Sequence, residues 1–272
     1  MTTRLPRILR AQVLGAFRIT VDGRRIEAPR WQHGSAERLA KLLLVTPGHR
    51  LRREVAAEQL WPNAGALRAA ANLRRALHFL RRAIDGDVQP SAVDAGQREI
   101  GFAPDVDLAV DLDTLLHAAH RVSMVLGRDD PWHDGLEADL DVVIHLGVDD
   151  LLPDDLTEEW TIRLRDQLLV RWERAAIFVA ERALAHGHPG RAHELGEQVL
   201  DRDPASEEAH RLLIRSLVLE GLPHAARRQM AICRRALRDA YDIDPGQETV
   251  AALEPRAVIS IGELAFTPSS AG

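Results

Sequence analysis

The sequence holds one cysteine, one lysine, one tyrosine and three methionines in 272 residues. A single cysteine, Cys233, cannot close an internal disulfide, so a small cross-linked secreted scaffold is excluded. Apolar runs such as Leu42–Val45 and Ala175–Ala180 fall far short of the roughly 18–20 residues of a membrane span. Met1–Arg10 is basic, but no apolar stretch of signal-peptide length follows it. The expectation is a soluble, cytoplasmic chain without membrane contact. No Walker-type phosphate loop, no Gly-x-Ser-x-Gly and no His-Glu-x-x-His is present. Nucleophile, base and acid converge nowhere, so neither an enzyme nor a cofactor is expected.

What is present is enough apolar side chain, 46%, for two ordinary domains, with 28% charged residues. The charge is unevenly spread. Residues 1–105 carry 18 basic and 10 acidic side chains, a surplus of eight positive charges. Residues 106–272 carry 17 and 31, a net of −14. A basic front and an acidic back suggest a polyanion-binding module joined to something else.

In the front part, Gln12–Val21 is apolar and β-branched, and Asp22-Gly23 reads as a two-residue hairpin turn. Ser35 suits a helix N-cap ahead of Leu39, Leu42 and Leu43, with Pro47-Gly48 as the stop. A second helix is expected over Arg53–Leu60 and a third over about Ala64–Ile84. In the third, Leu73, Leu77, Leu80 and Ile84 recur at i, i+4, i+7 and i+11, one core-facing stripe. Val93–Phe102 reads as a hairpin turning near Asp94-Ala95-Gly96. Strands, three helices and a hairpin make an α+β winged helix-turn-helix, whose third helix enters the major groove while the wing touches the backbone.

From Val106 onward only helices are expected: Asp111–Leu126, Gly135–Leu146, Leu156–His186, Gly190–Leu200, Ser206–Glu220, His224–Tyr241 and Gln247–Leu253. Gly187 and Gly221 lie 34 residues apart, as do Pro189 and Pro223, and Ala192 and Ala226. That is the tetratricopeptide period, so an all-α tetratricopeptide-like domain is expected. The division is a winged helix-turn-helix over 1–105, a helical domain over 106–256 and a flexible tail over 257–272. Residues 1–105 are expected to fold alone.

The residues also resemble a known family. Leu60-Trp61-Pro62, Leu73-Arg74-Arg75-Ala76-Leu77 and Leu80-Arg81-Arg82-Ala83-Ile84 look like the DNA-binding half of the actinobacterial antibiotic regulatory proteins, the SARP family. Asp150-Leu151-Leu152-Pro153-Asp154-Asp155 with Glu158-Glu159-Trp160 looks like the start of their bacterial transcriptional activator domain. So do Glu207–Leu213 and Cys233–Asp239 followed by Ile243-Asp244-Pro245. The resemblance spans roughly residues 10–255. It implies a transcriptional activator of a secondary-metabolite (antibiotic) biosynthetic gene cluster, bound to repeated promoter sites as a homodimer on double-stranded DNA and contacting RNA polymerase. Because no Walker motif is present, the resemblance implies the short form of that family as the expectation. It departs from the family at Arg30–Ser35, and Ala71 and Phe79 stand where related winged helices often carry arginine.

Arginine can pair with guanine, and asparagine with adenine, in bidentate fashion, so Arg75 and Asn72 are the candidates for base edges. Arg68, Arg74, His78, Arg81 and Arg82 are candidate phosphate contacts, with Arg98 near the wing tip. The bland alternative is a solvated charged face, and the alternative function is a tetratricopeptide-like interaction scaffold with a vestigial winged helix. His186, His188 and His193 read as a polar inter-helix turn rather than a metal site, and Cys233 as a small packed side chain. Residues 129–159 hold twelve acidic and no basic residues. They read as a solvated face, with a cation site, repulsion of DNA or a basic polymerase surface as alternatives.

Overall fold

The computed structural model describes residues 6–27, 31, 34–86, 88, 90–125, 134–147 and 149–254. The expected tail over 257–272 and half of the departure at Arg30–Ser35 (Arg30, Gln32 and His33) lie outside these. The chain divides into two compact units at residue 175/176, within one long helix.

The first unit runs β1 (Ile8–Gln12), β2 (Arg18–Val21), β3 (Arg24–Arg25), α1 (Gly34–Val45), β4 (Arg50–Arg52), α2 (Arg53–Leu60), α3 (Ala66–Asp85), β5 (Val93–Ala95), β6 (Glu99–Phe102), β7 (Asp107–Val110), α4 (Asp111–Val125), α5 (Asp134–Leu146) and the first part of α6 (Glu159–Ala185). Asp22 and Gly23 both take positive φ, 50° and 79°, the geometry of the tight turn that matches the twist of a hairpin. Leu9 faces Val21 and Ala11 faces Ile19 across β1 and β2, and all four are buried, so alternation sets the register.

The expectation of helices alone beyond residue 105 needs correcting. β7 pairs in parallel with β1, Leu9 opposite Leu108, and completes a four-stranded sheet of order β3-β2-β1-β7. Asp111 then accepts the backbone N–H of Val13 at 2.9 Å and of Leu14 at 3.1 Å. Burial pushes its pKa up against the pull of those N–H groups. Farther along, Leu152 N–H donates to the Val13 carbonyl and Gly15 N–H to that of Asp150. A boundary at 105/106 therefore cuts through a sheet, and the compact unit extends to residue 175. Four residues of strand are too short a period to stand out beside the helix that follows them.

The second sheet has the order β4-β6-β5. Its close approach depends on Gly101, where a Cβ would lie 2.4 Å from the His49 carbonyl oxygen. α1 buries Leu39, Leu42, Leu43 and Leu44, and α3 buries Leu73, Ala76, Leu77, Leu80 and Ile84. Two ion pairs fix α1 to the segment leading into α6. Arg38 holds Glu158 with two hydrogen bonds, 2.6 and 2.9 Å, and Lys41 lies 2.7 Å from both Asp155 and Glu37. Burial alone would lower the Lys41 pKa, but the two carboxylates outweigh it and hold the ammonium above its ordinary value. Arg165 gathers the carbonyls of Leu151 and Leu152. Trp172 donates to the Ile144 carbonyl and packs where a Cβ on Gly147 would sit.

The second unit contains the end of α6, α7 (Pro189–Leu200), α8 (Glu207–Leu219), α9 (Pro223–Tyr241) and α10 (Gln247–Ala251). The 34-residue echo is a repeated turn. Gly187 and Gly221 have φ of 76° and 75°; His188 and Leu222, which follow them, have negative φ of −110° and −109°, and a proline then opens each helix. His188 N–H donates to Ala183 and Leu222 N–H to Leu217, each at 2.8 Å. Only glycine enters that left-handed conformation at little cost, which explains the paired glycines. Ile214, Leu217, Ala226, Met230 and Ala252 form the core of α8, α9 and α10. At the α7–α8 contact Gly196 leaves room for Leu213.

Candidate nucleic-acid interface

The turn Trp61–Gly65 joins α2 to α3, and α3 is the longest helix before residue 105. Its apolar stripe fixes its orientation: with Leu73, Leu77, Leu80 and Ile84 inward, the opposite side must face water. Arg68, Arg74, Arg75, His78 and Arg82 are all exposed on that side. Repulsion among such cations is tolerable only in water or against a polyanion. Arg82 lies in the last turn, where a cation also complements the helix dipole.

Two of the eight sequence candidates, Asn72 and Arg81, have surroundings other than those expected. Asn72 is half-buried, on the flank of the exposed face. Arg81 is turned toward the hairpin, where its Nε and Nη2 donate to the Val93 carbonyl at 3.1 and 3.0 Å. Arg98 is exposed at the hairpin tip, and its own carbonyl accepts the N–H of Arg53 at 2.9 Å. The Arg53 side chain also donates to the Gly96 carbonyl, so the tip is fixed to the start of α2. Arg75 lies over the ring of Phe79, 5.8 Å from its centroid, and so Phe79 supports a cation where related helices carry one.

The far end of α3 is anchored by a buried carboxylate. Asp85 accepts the Ala92 N–H at 2.8 Å and the hydroxyl of Ser91, and pairs with Arg7 at 3.1 Å. Arg7 also reaches Asp22 and the Ile84 carbonyl, tying α3 to the β1–β2 hairpin. On the wing, Arg50 pairs with Asp94 at 2.7 Å. Sequence reasoning passed over Arg7, Arg50 and Arg53, whose roles depend on partners 43 to 78 residues away.

The basic surplus of the front part is thus partly internal. Arg38 and Lys41 are consumed by Glu158 and Asp155, two of the twelve acidic residues in 129–159, and Asp139 pairs with Arg121. What remains exposed on α3 and at the hairpin tip is cationic: Arg68, Arg74, Arg75 and Arg82 on the helix and Arg98 on the hairpin. Among the described residues no group of three histidine, cysteine or acidic side chains could hold a metal, and no helix is long and apolar enough to cross a membrane. His193 lies 3.5 Å from Glu197, and Glu194 pairs with Arg191. Cys233 is fully buried, which pushes its thiol up to about 11.

Residues 150–254 match the bacterial transcriptional activator domain. The fold is also similar to that of Mycobacterium tuberculosis EmbR, solved in complex with a low affinity phosphopeptide. The TM-score is 0.70 at 18% identity, over 93% of this chain and 67% of that one. No curated protein sequence matches the chain. The matched domain begins at the residues that, in this chain, pair with Val13, Lys41 and Arg38. A winged helix-turn-helix followed by an activator-type helical domain is the arrangement expected from the SARP resemblance.

Proposed function

We propose that this SARP-like transcriptional regulator activates transcription by placing α3 in the major groove of promoter DNA. The observation that carries the reading is the exposed cationic face of α3, beside a wing and ahead of a transcriptional activator domain. Arg75 is the base reader, with its guanidinium braced on Phe79. Arg68, Arg74, His78 and Arg82 take phosphates, as does Arg98 at the wing tip. Arg81 holds the wing in place, and Asn72 reaches a base only from the flank.

The second unit, stacked in tetratricopeptide-like pairs, supplies the protein contact. Its partner is RNA polymerase or a second protomer on adjacent promoter repeats of a biosynthetic cluster. Residues 106–175 carry a net of −11 and residues 176–254 a net of −3, so neither stretch adds to the cationic grip of α3. The test is a footprint of the full chain on promoter fragments, combined with a reporter carrying the same promoter. Protection of repeated sites, with reporter activity lost on deleting residues 176–254, is expected. Full activation by the truncated chain would overturn the division of roles.

A further inference from the structure

Leu67 is 91% exposed, while the next most exposed large hydrophobic side chain among the described residues, Leu156, is 61% exposed. It stands in the first turn of α3, where the helix begins at Ala66 after Gly65. Counting i, i+4, i+7 and i+11 from Leu67 gives Ala71, Arg74 and His78, all exposed. That is the spacing of the buried stripe from Leu73, repeated on the opposite side of the helix. The outward face therefore opens with two side chains that present only methyl groups and continues into cations.

A leucine held in water at the tip of a helix gains nothing for folding. A recognition helix meets base edges through its N-terminal residues, and the one apolar group on the major-groove edge is the 5-methyl of thymine. The surrounding Arg68, Arg74 and Arg75 complement the charge of a duplex rather than an apolar protein surface.

We infer that Leu67 and Ala71 read thymine by contact with its 5-methyl group, making them specificity-determining residues of the α3 face. This rests on the reading of α3 as the DNA-contacting helix. It also gives the alanine at position 71 a role that an arginine there would abolish.

The test uses the full chain and duplexes selected by it from a random library, with each thymine replaced singly by uracil, which lacks only the methyl. One or two positions should bind about four-fold less tightly, the change equivalent to about 0.8 kcal/mol per buried methyl. In the Leu67→Ser protein the thymine–uracil difference at one of those positions should vanish, while the salt dependence of binding stays the same. Because Leu67 is exposed, that variant should fold. Bound duplexes indifferent to every uracil substitution would overturn this inference and leave α3 as the DNA helix. Failure to retain any duplex would overturn both readings. Loss of self-association in Leu67→Ser, with the uracil effect intact, would assign the side chain to a protein contact instead and also overturn it.

Discussion

The Arg81 guanidinium donates two hydrogen bonds to a single carbonyl, that of Val93, and so joins the helix that faces outward to the first strand of the hairpin beside it. An arginine in a run of arginines is here a brace. Removing it should cost about 1–2 kcal/mol, the usual worth of hydrogen bonds to a partly exposed charged donor. Arg81→Ala should therefore speed amide exchange in β5 and β6 and weaken DNA binding without altering its salt slope. Unchanged hairpin exchange would show that the brace has no mechanical role.

Lys41 sits between two carboxylates with its side chain only 6% exposed, and its ammonium is 4.9 Å from the centre of the Phe17 ring. Truncating one partner of a buried pair leaves the other charge unanswered. Lys41→Met should cost about 3 kcal/mol. Arg38→Ala should cost about 1 kcal/mol, because that pair is more open to solvent. Urea denaturation of the variants checks both. Two near-neutral results would mean that α1 does not depend on the segment around Asp155.

The same contacts bear on truncation. Residues 1–105 lack β7, the Asp111 carboxylate and both acidic partners of α1. That fragment should be poorly folded, whereas residues 1–175 should melt cooperatively. Circular dichroism melting of the two fragments decides it, and equal cooperativity would contradict the structure.

Two histidines should respond to pH with opposite sign. His49 lies 2.8 Å from Asp113, whose hydrogen bond raises its pKa against the effect of burial. The stabilisation is complete below the unfolded pKa of about 6.5 and is lost as pH rises through the higher folded value. Asp113→Asn should thus cost more stability at about pH 5.5 than at about pH 8.5. His210 is buried, with Nδ1 accepting from Gln229 and Nε2 donating to the Pro204 carbonyl, and burial lowers its pKa. Its contribution is present above about pH 6.5 and fades as pH falls toward the lower folded value. Carbon-bound ring protons followed by NMR should place the two titrations on either side of about 6.5.

Most of the front-part architecture was legible in local signals. The Asp22-Gly23 turn, the bounds of α2 and the stripe of α3 need only neighbours within a turn or two, and each is found where the sequence places it. The 34-residue echo was legible too, because a positive-φ glycine before a proline must recur wherever that turn recurs. What escaped were relations across long separations: β7 beside β1, Asp111 over Val13, Glu158 on Arg38. An isolated aspartate or arginine looks the same whether it faces solvent or a partner 120 residues away. For the same reason the sequence alone offers Arg81 as a phosphate contact and does not single out Leu67, which lies outside the apolar stripe.

The central claim is that the α3 face grips a polyanion, and the most direct measurement is the salt dependence of promoter-fragment binding by the full chain. Each phosphate contact releases counterions, so log affinity should fall with log salt by about 0.9 per contact. Arg82→Ala and Arg68→Ala should each lower that slope by about one while weakening specific and random duplexes alike. Arg75→Ala should instead cost about 1–3 kcal/mol on the specific site alone. Binding that is flat in salt, or a slope untouched by the loss of Arg82 and Arg68, would contradict the account.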